Sequence, residues 1–128
     1  MHKTLALLGS LALTAVTAVT ASAQGTVKIG VVMPYSGQFA DLATQMDNGI
    51  KLYMKLNGDT VAGKKIEIIR KDTGGVAPDV ATRLAQELVT RDNVDILAGS
   101  TLSPNAIAAS KISAEAAIST GTTGLRCL

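Results

Sequence analysis

Apolar residues alternate along the chain between a spacing typical of buried strands and one typical of helices. Three runs rich in β-branched residues, 26–33, 64–71 and 94–98, predict strands. Elsewhere apolar residues recur every three or four positions, and the predicted helices cover about 38–56, a stretch from about 79, and 104–117. The order β-α-β-α-β-α favours an α/β fold in three layers, with a parallel sheet between helices.

The C-terminal part of the chain gives two expectations, one for the start of the third helix and one for the residues that follow it. Ser103 is predicted as the N-cap of the third helix, with Pro104 in its first turn. The final stretch, 118–128, fits neither spacing, so we predict an irregular tail there. A sheet of only three strands would leave one edge of the third strand unpaired, which favours aggregation. We interpret the tail as a truncated or frameshifted end, with a genuine flexible C-terminus as the alternative.

Residues 1–23 have the three parts of a secretory signal. His2 and Lys3 precede an apolar stretch over 5–19, and small residues at 21–23 offer a cleavage site before Gln24. The alternative is a membrane anchor, but a spanning helix needs about 20 apolar residues and this stretch is shorter. The sequence therefore predicts a periplasmic or extracellular protein whose mature chain begins at Gln24.

Composition and charge exclude several classes of protein. The chain has 12 Lys and Arg against 10 Asp and Glu, so it lacks the strong excess of basic residues that is typical of nucleic-acid-binding proteins. The one His, His2, lies in the leader, which excludes a Ser-His-Asp triad and a His-ligated metal in the mature chain. Ser36 follows a strand, but Pro34 and Gln38 stand where a nucleophile elbow needs glycines. We expect no enzyme activity and no cofactor, and we interpret Asp72 as a solvated carboxylate rather than a metal ligand.

Two loops after predicted strands are suited to binding a small molecule, because ligands of parallel sheets bind at the carboxyl ends of strands. The N-terminus of the helix after each loop offers free N–H groups and partial positive charge, which suit a carboxylate. The candidate ligand-binding residues are Tyr35, Ser36, Gln38 and Phe39 in the first loop, and Ser100, Thr101, Leu102 and Ser103 in the second. A simpler interpretation stays open, in which Ser36 belongs to a turn, Phe39 to the core and Ser103 to a helix cap.

Five segments, taken together in their order and spacing, resemble one known family. They are 27–37 (VKIGVVMPYSG), 47–50 (DNGI), 63–68 (GKKIEI) followed by Asp72, 85–89 (AQELV) and 94–99 (VDILAG). The family is the extracellular substrate-binding proteins of ABC importers, in the leucine/isoleucine/valine-binding class with the periplasmic binding protein type I fold. The likeness runs from about Thr26 to about Ala117.

The resemblance implies a protein of two lobes that closes on its ligand and docks on a membrane permease. Residues 24–117 would form part of the N-terminal lobe, without the hinge segments and the second lobe. Ser103 and neighbouring N–H groups would hold a ligand carboxylate, while Gln38 and Phe39 would contact the rest of the ligand. Leu102 departs from the small residue common in the family, so only its backbone would serve.

The implied function is capture of a branched-chain amino acid or a similar small carboxylate, such as an aromatic acid, for an ABC permease. A pocket normally buries about 70–90% of a small ligand, so one lobe alone is expected to bind weakly. Two other interpretations stay open: a ligand-sensing receptor or interaction module of the same fold, and a gene fragment without function.

Overall fold

A five-stranded sheet forms the centre of the computed structural model, which describes residues 25–116 and the backbone of residues 119–122. The strands are β1 (Thr26–Met33), β2 (Thr60–Val61), β3 (Lys64–Asp72), β4 (Ile96–Gly99) and β5 (Ser119–Thr122), in the order β2-β3-β1-β4-β5. The helices are α1 (Ala40–Asn57), α2 (Pro78–Thr90) and α3 (Ser103–Glu115), and a 3-10 turn, Gly37–Phe39, precedes α1. The predicted leader, 1–23, lies outside the described residues.

The sheet is parallel except at one edge. β1 pairs in parallel with β3 from Thr26 opposite Lys65 to Met33 opposite Asp72, and β4 pairs in parallel with both β1 and β5. β2 is a short antiparallel strand that folds back on β3. The α/β fold in three layers is confirmed, with two strands more than the sequence predicted.

The prediction of an irregular tail over 118–128 is wrong for Ser119–Thr122, which forms β5 beside β4. These residues, Ser-Thr-Gly-Thr, have no apolar period. Their backbone nevertheless forms a strand by pairing with the edge of β4, because pairing with a neighbouring strand can outweigh a weak local sequence pattern. The prediction that the third predicted strand, which is β4, has an unpaired edge is therefore also wrong. Residues 117–118 and 123–128 lie outside the part of the chain that the structure describes.

The predicted N-cap of the third helix is displaced by one residue. The carbonyl of Leu102 accepts the first helical hydrogen bond, from the N–H of Ala106 at 3.0 Å, so Leu102 is the N-cap and Ser103 is the first helical residue. Leu102 has an extended backbone and makes no side-chain cap. The hydroxyl of Ser103 is consequently not used as a cap and lies on an exposed residue at the start of α3.

Alternate residues of β1 point to two separate cores. Val32 packs on one face against α2 and α3, where Leu84, Leu88, Leu97 and Ile112 are buried. α2 approaches β1 so closely that a Cβ at Gly30 would lie 2.9 Å from the Leu88 side chain. On the other face, Val31, Met33 and Ala43 form a smaller core under α1.

Ion pairs join helices to the sheet on both faces. On the α1 face, the buried carboxylate of Asp47 bonds Arg70 of β3 and, at 2.8 Å, Lys51. Burial opposes ionisation of Asp47, but the hydrogen bonds from Lys51 and Arg70 outweigh it and hold its pKa below the usual value. On the other face, Lys71 of β3 lies 2.8 Å from Glu87 and 3.2 Å from Asp92. Within residues 25–116, no helix is both long and apolar enough to cross a bilayer.

Candidate functional site

Three loops meet at the carboxyl edge of the parallel strands. They are 34–39 after β1, 73–77 after β3 and 100–102 after β4, and each leads into the N-terminal end of a helix. Because β1 lies between β3 and β4, the first loop has the other two on either side. The structure thus brings the two predicted ligand loops to neighbouring strands, and it adds the loop after β3, which the sequence indicated only as a connection.

Asp72, the last residue of β3, holds the loop after β1 in place. Its Oδ1 accepts hydrogen bonds from the N–H groups of Tyr35 at 2.7 Å, Ser36 at 3.2 Å and Gly74 at 2.8 Å. The hydroxyl of Ser36, followed by these N–H groups, keeps the pKa of Asp72 below its usual value. The carboxylate is therefore ionised at neutral pH and positions two loops at once.

Two glycines allow these loops to touch. Gly37 has a φ of +77°, and a Cβ placed on it would lie 2.6 Å from the carbonyl oxygen of Gly74. Gly74 itself has a φ of +69°. A side chain at Gly37 would therefore be strained in the left-handed region and would also push the loops apart.

Asn105 connects the loop after β3 to α3. Its Oδ1 accepts a hydrogen bond from the N–H of Ala77 at 2.9 Å, and its Nδ2 donates to the carbonyl of Gly75 at 2.8 Å. The residue is only 1% exposed, so both bonds are made away from water. The amide side chain thereby fixes the N-terminal ends of α2 and α3 relative to each other.

The chain leaves β4 in an unusual conformation. Ser100 is buried and has a φ of +63°, a region that residues other than glycine enter at a cost. Its N–H donates to the carbonyl of Val32 at 2.7 Å, which holds the loop against β1. Next to it, the Thr101 hydroxyl is buried without a hydrogen-bond partner among the described residues.

The side chain of Tyr35 lies on the α1 face of the sheet. Its ring packs against the small core under α1, and its hydroxyl is buried beside Asp47 and Arg70. Burial first, and then the charge of Asp47, raise the pKa of this hydroxyl above its usual value. The side chain thus helps to support α1, whereas the backbone of Tyr35 belongs to the loop that Asp72 holds.

The other predicted residues lie at the rim of the carboxyl edge. Ser36, Gln38 and Ser103 are exposed, and Phe39 and Leu102 are half-buried. Gln38 borders a cavity of about 600 Å³, whose remaining lining comes from the loop 73–77. The exposed side chains of Gln38 and Ser103 are open to a molecule that approaches the edge, whereas the hydroxyl of Ser36 bonds Asp72.

Sequence reasoning missed the residues that organise the site. Asp72 is exposed, as expected for a solvated carboxylate, but it also bonds its own turn, which its position two residues before Gly74 suits. Asn105 gave no local signal, because its partners lie 28 and 30 residues earlier. Within the described ranges, no group of His, Cys, Asp and Glu side chains is placed to hold a metal ion.

Comparison with known proteins gives a consistent result. A family described as periplasmic binding protein matches residues 26–125. Leu/Ile/Val-binding protein homolog 6 of Brucella abortus (strain 2308) is 36% identical over 95 residues, which are 74% of this chain and 24% of that protein.

Solved structures of ABC-transporter solute-binding proteins share the fold. One from Rhodopseudomonas palustris BisB5, in complex with 3,4-dihydroxybenzoic acid, is 44% identical with a TM-score of 0.72, over 76% of this chain and 27% of that one. Another from R. palustris, in complex with benzoate, is 34% identical with a TM-score of 0.72, over 77% and 27%. The chain spans about a quarter of the length of these relatives. It belongs to the periplasmic binding protein family and has part of the type I fold that its sequence resembles.

Proposed function

We propose that this chain supplies one wall of the ligand site in the solute-binding subunit of an ABC importer, and that the solute is an aromatic carboxylate. The observation that carries the proposal is the carboxyl edge of the sheet, where Asp72 holds the loops after β1 and β3 together and Asn105 ties the loop after β3 to the start of α3. The 44% identical relative in complex with 3,4-dihydroxybenzoic acid supports the choice of ligand class.

The start of α3 provides the groups that a carboxylate needs. The hydroxyl of Ser103 is on an exposed residue, and the first N–H groups of a helix have no carbonyl partner within the helix. The helix is 13 residues long, so its N-terminus carries the usual partial positive charge. We infer that the ligand carboxylate binds here, with Gln38 and Phe39 beside the ring.

An aromatic acid fits these loops better than a branched-chain amino acid. The loops 34–39, 73–77 and 100–103 contain no Asp or Glu, so they offer no carboxylate to an ammonium group. Asp72 borders them, but its Oδ1 accepts three backbone hydrogen bonds and its carboxylate also bonds the hydroxyl of Ser36, so it serves the loops themselves. A ligand with an acid group and an apolar ring needs no such partner.

The rest of the proposed function follows from the role of a transport subunit. Residues 1–23 would direct export to the periplasm, and the loaded protein would dock on a membrane permease. Relatives with this fold are solute-binding proteins rather than enzymes, and we propose the same for this chain. No cofactor is required for this role.

Amide NMR spectra of the exported, ¹⁵N-labelled chain would test the ligand class. We expect 3,4-dihydroxybenzoate to shift the amides of 36–38, 100–103 and 105 with a dissociation constant of about 1 mM or weaker, since one wall buries only part of a ligand. The matched control is 3,4-dihydroxybenzyl alcohol, which has the same ring without the carboxylate and should cause little change. Equal shifts with the acid and the alcohol, or shifts with leucine only, would refute the proposal.

A further inference from the structure

The cavity beside Gln38 contains a buried hydroxyl that has no hydrogen-bond partner. The cavity has a volume of about 600 Å³, and Thr73 lines it together with Gln38 and residues 74–77 of the loop after β3. Thr73 is only 6% exposed, and its Oγ1 makes no hydrogen bond to any residue that the structure describes. Most buried polar side chains of folded proteins have a partner, so this hydroxyl is available to a group that enters the cavity.

The backbone around Thr73 is held in place before any ligand binds. The N–H of Thr73 donates to the carbonyl of Met33, the last residue of β1, at 3.0 Å. The side chain of Asn105 binds the same loop at two further points, the N–H of Ala77 and the carbonyl of Gly75. A ligand therefore needs to order little of this loop, which lowers the entropic cost of binding.

The lining of the cavity suits a neutral hydroxyl better than a charged group. None of its six lining residues has a charged side chain. Asp72, next to Thr73 in the chain, is ionised at neutral pH and would repel a second carboxylate. A hydroxyl can donate and accept a hydrogen bond, and so can the side chains of Thr73 and Gln38.

The cavity lies across the carboxyl edge of the sheet from the start of α3. Since β1 separates β3 from β4, the ends of β3 and β4 are two strand spacings, about 10 Å, apart. A carboxylate at the start of α3 and a hydroxyl beside Thr73 would therefore belong to opposite ends of one small molecule. In a benzoic acid, the substituent at ring position 4 lies opposite the carboxylate and reaches furthest from it.

We propose that Thr73 and Gln38 form a specificity subsite for a hydroxyl at position 4 of the ring of a bound aromatic acid. The inference rests on the proposed function, because the carboxylate at the start of α3 orients the ring. The ligand hydroxyl bonds Thr73 on the inner side of the cavity and the amide of Gln38 at the rim. An acid without that hydroxyl leaves Thr73 without a partner and binds more weakly.

NMR titration of the exported, ¹⁵N-labelled chain with two acids of similar shape tests the subsite. 4-Hydroxybenzoate and 4-methylbenzoate differ only in the group at position 4, a hydroxyl in one and a methyl in the other. We expect both acids to shift the amides of 100–103, and the hydroxy acid to bind about threefold to tenfold more tightly. Equal dissociation constants would overturn the subsite and leave the proposed function standing, whereas no shift at 100–103 with either acid would refute both.

Thr73→Val distinguishes a ligand contact from a structural role. Valine has nearly the shape of threonine without the hydroxyl, so the variant should lose the preference for 4-hydroxybenzoate. Because the hydroxyl has no partner among the described residues, its removal should leave the urea midpoint equal to or above that of the wild type. A preference that survives in this variant, or a lower urea midpoint, would overturn the proposal.

Thr82→Val is the matched control for this substitution. The hydroxyl of Thr82 donates to the carbonyl of Pro78 on α2, at 2.9 Å, and Thr82 does not line the cavity. The control should keep the wild-type preference for 4-hydroxybenzoate. Loss of the preference in both variants would show that it does not depend on the Thr73 hydroxyl and would also overturn the subsite.

Discussion

The carboxylate of Asp72 accepts a hydrogen bond of 2.7 Å from the backbone N–H of Tyr35, 37 residues earlier in the chain. This contact joins the end of β3 to the loop after β1. The loop 34–39 is thus held by a neighbouring strand and not by its own local sequence. Several consequences of this arrangement can be measured.

Replacing Asp72 should loosen two loops with a modest loss of stability. We expect Asp72→Ala to lower the free energy of unfolding by about 1 kcal/mol, since the carboxylate is partly exposed and its three N–H partners can then bind water. Urea denaturation gives the loss, and hydrogen exchange at Tyr35 and Gly74 shows where it occurs. Asp59→Ala is the control, because Asp59 is about half exposed, accepts no backbone hydrogen bond at its carboxylate, and has only a long ion pair with Lys65, at 3.8 Å, and a hydrogen bond of 3.2 Å from the hydroxyl of Thr60 among the described residues. Equal losses in the two variants would show that Asp72 has no special role.

The carboxylates of Asp47 and Asp72 make stability depend on pH in a defined direction. Both pKa values are lower in the folded chain than in the unfolded one. Their stabilising contribution is therefore complete above about pH 4, the usual value for Asp, and is lost as the pH falls through the folded pKa. Urea midpoints between pH 7 and pH 3 should fall with acid, and the fall should be shallower in Asp47→Asn. The same slope in wild type and variant would contradict this.

Replacing Gly37 with alanine should cost more stability than replacing a glycine that has nearly the same φ but open space around it. Gly63 provides the comparison, with a φ of +76° and no atom within 4 Å of an added Cβ. Gly63→Ala should cost about 1 kcal/mol through backbone strain alone. Gly37→Ala should cost about 1–3 kcal/mol more, because its Cβ meets Gly74. Thermal or urea unfolding of the two variants measures both losses of stability. Equal losses would mean that only backbone strain acts at Gly37, without a clash with Gly74.

Asn105 should be among the most sensitive polar residues of the described chain. Asn105→Ala removes two buried hydrogen bonds and leaves the N–H of Ala77 and the carbonyl of Gly75 without their partner. We expect a loss of about 2–3 kcal/mol, with faster amide exchange at Ala77. Asn48→Ala, on the exposed side of α1, should change stability by less than about 0.5 kcal/mol. A loss at Asn105 no larger than that at Asn48 would mean that it does not fix the loop.

The parts of the fold that the sequence predicted are those with a strong local pattern. The continuous apolar run of β1 and the periodic helices were identified within a few residues. β5 was missed because Ser-Thr-Gly-Thr becomes a strand only beside β4. The two candidate loops could be found because they follow strands, but Asp72 and Asn105 act on residues distant in sequence. The packing of Tyr35 under α1 could not be predicted, because an aromatic residue in a loop gives no sign of the face on which it packs.

The position of a bound aromatic acid tests the central claim most directly. Intermolecular nuclear Overhauser effects between the ring protons of 3,4-dihydroxybenzoate and the labelled chain locate the ligand. We expect contacts to Gln38 or Phe39 together with amides at 101–103, at the carboxyl edge of the sheet. Contacts to Met46 and Tyr53 instead would place the ligand in the apolar groove that these residues line beside α1 and would contradict the account.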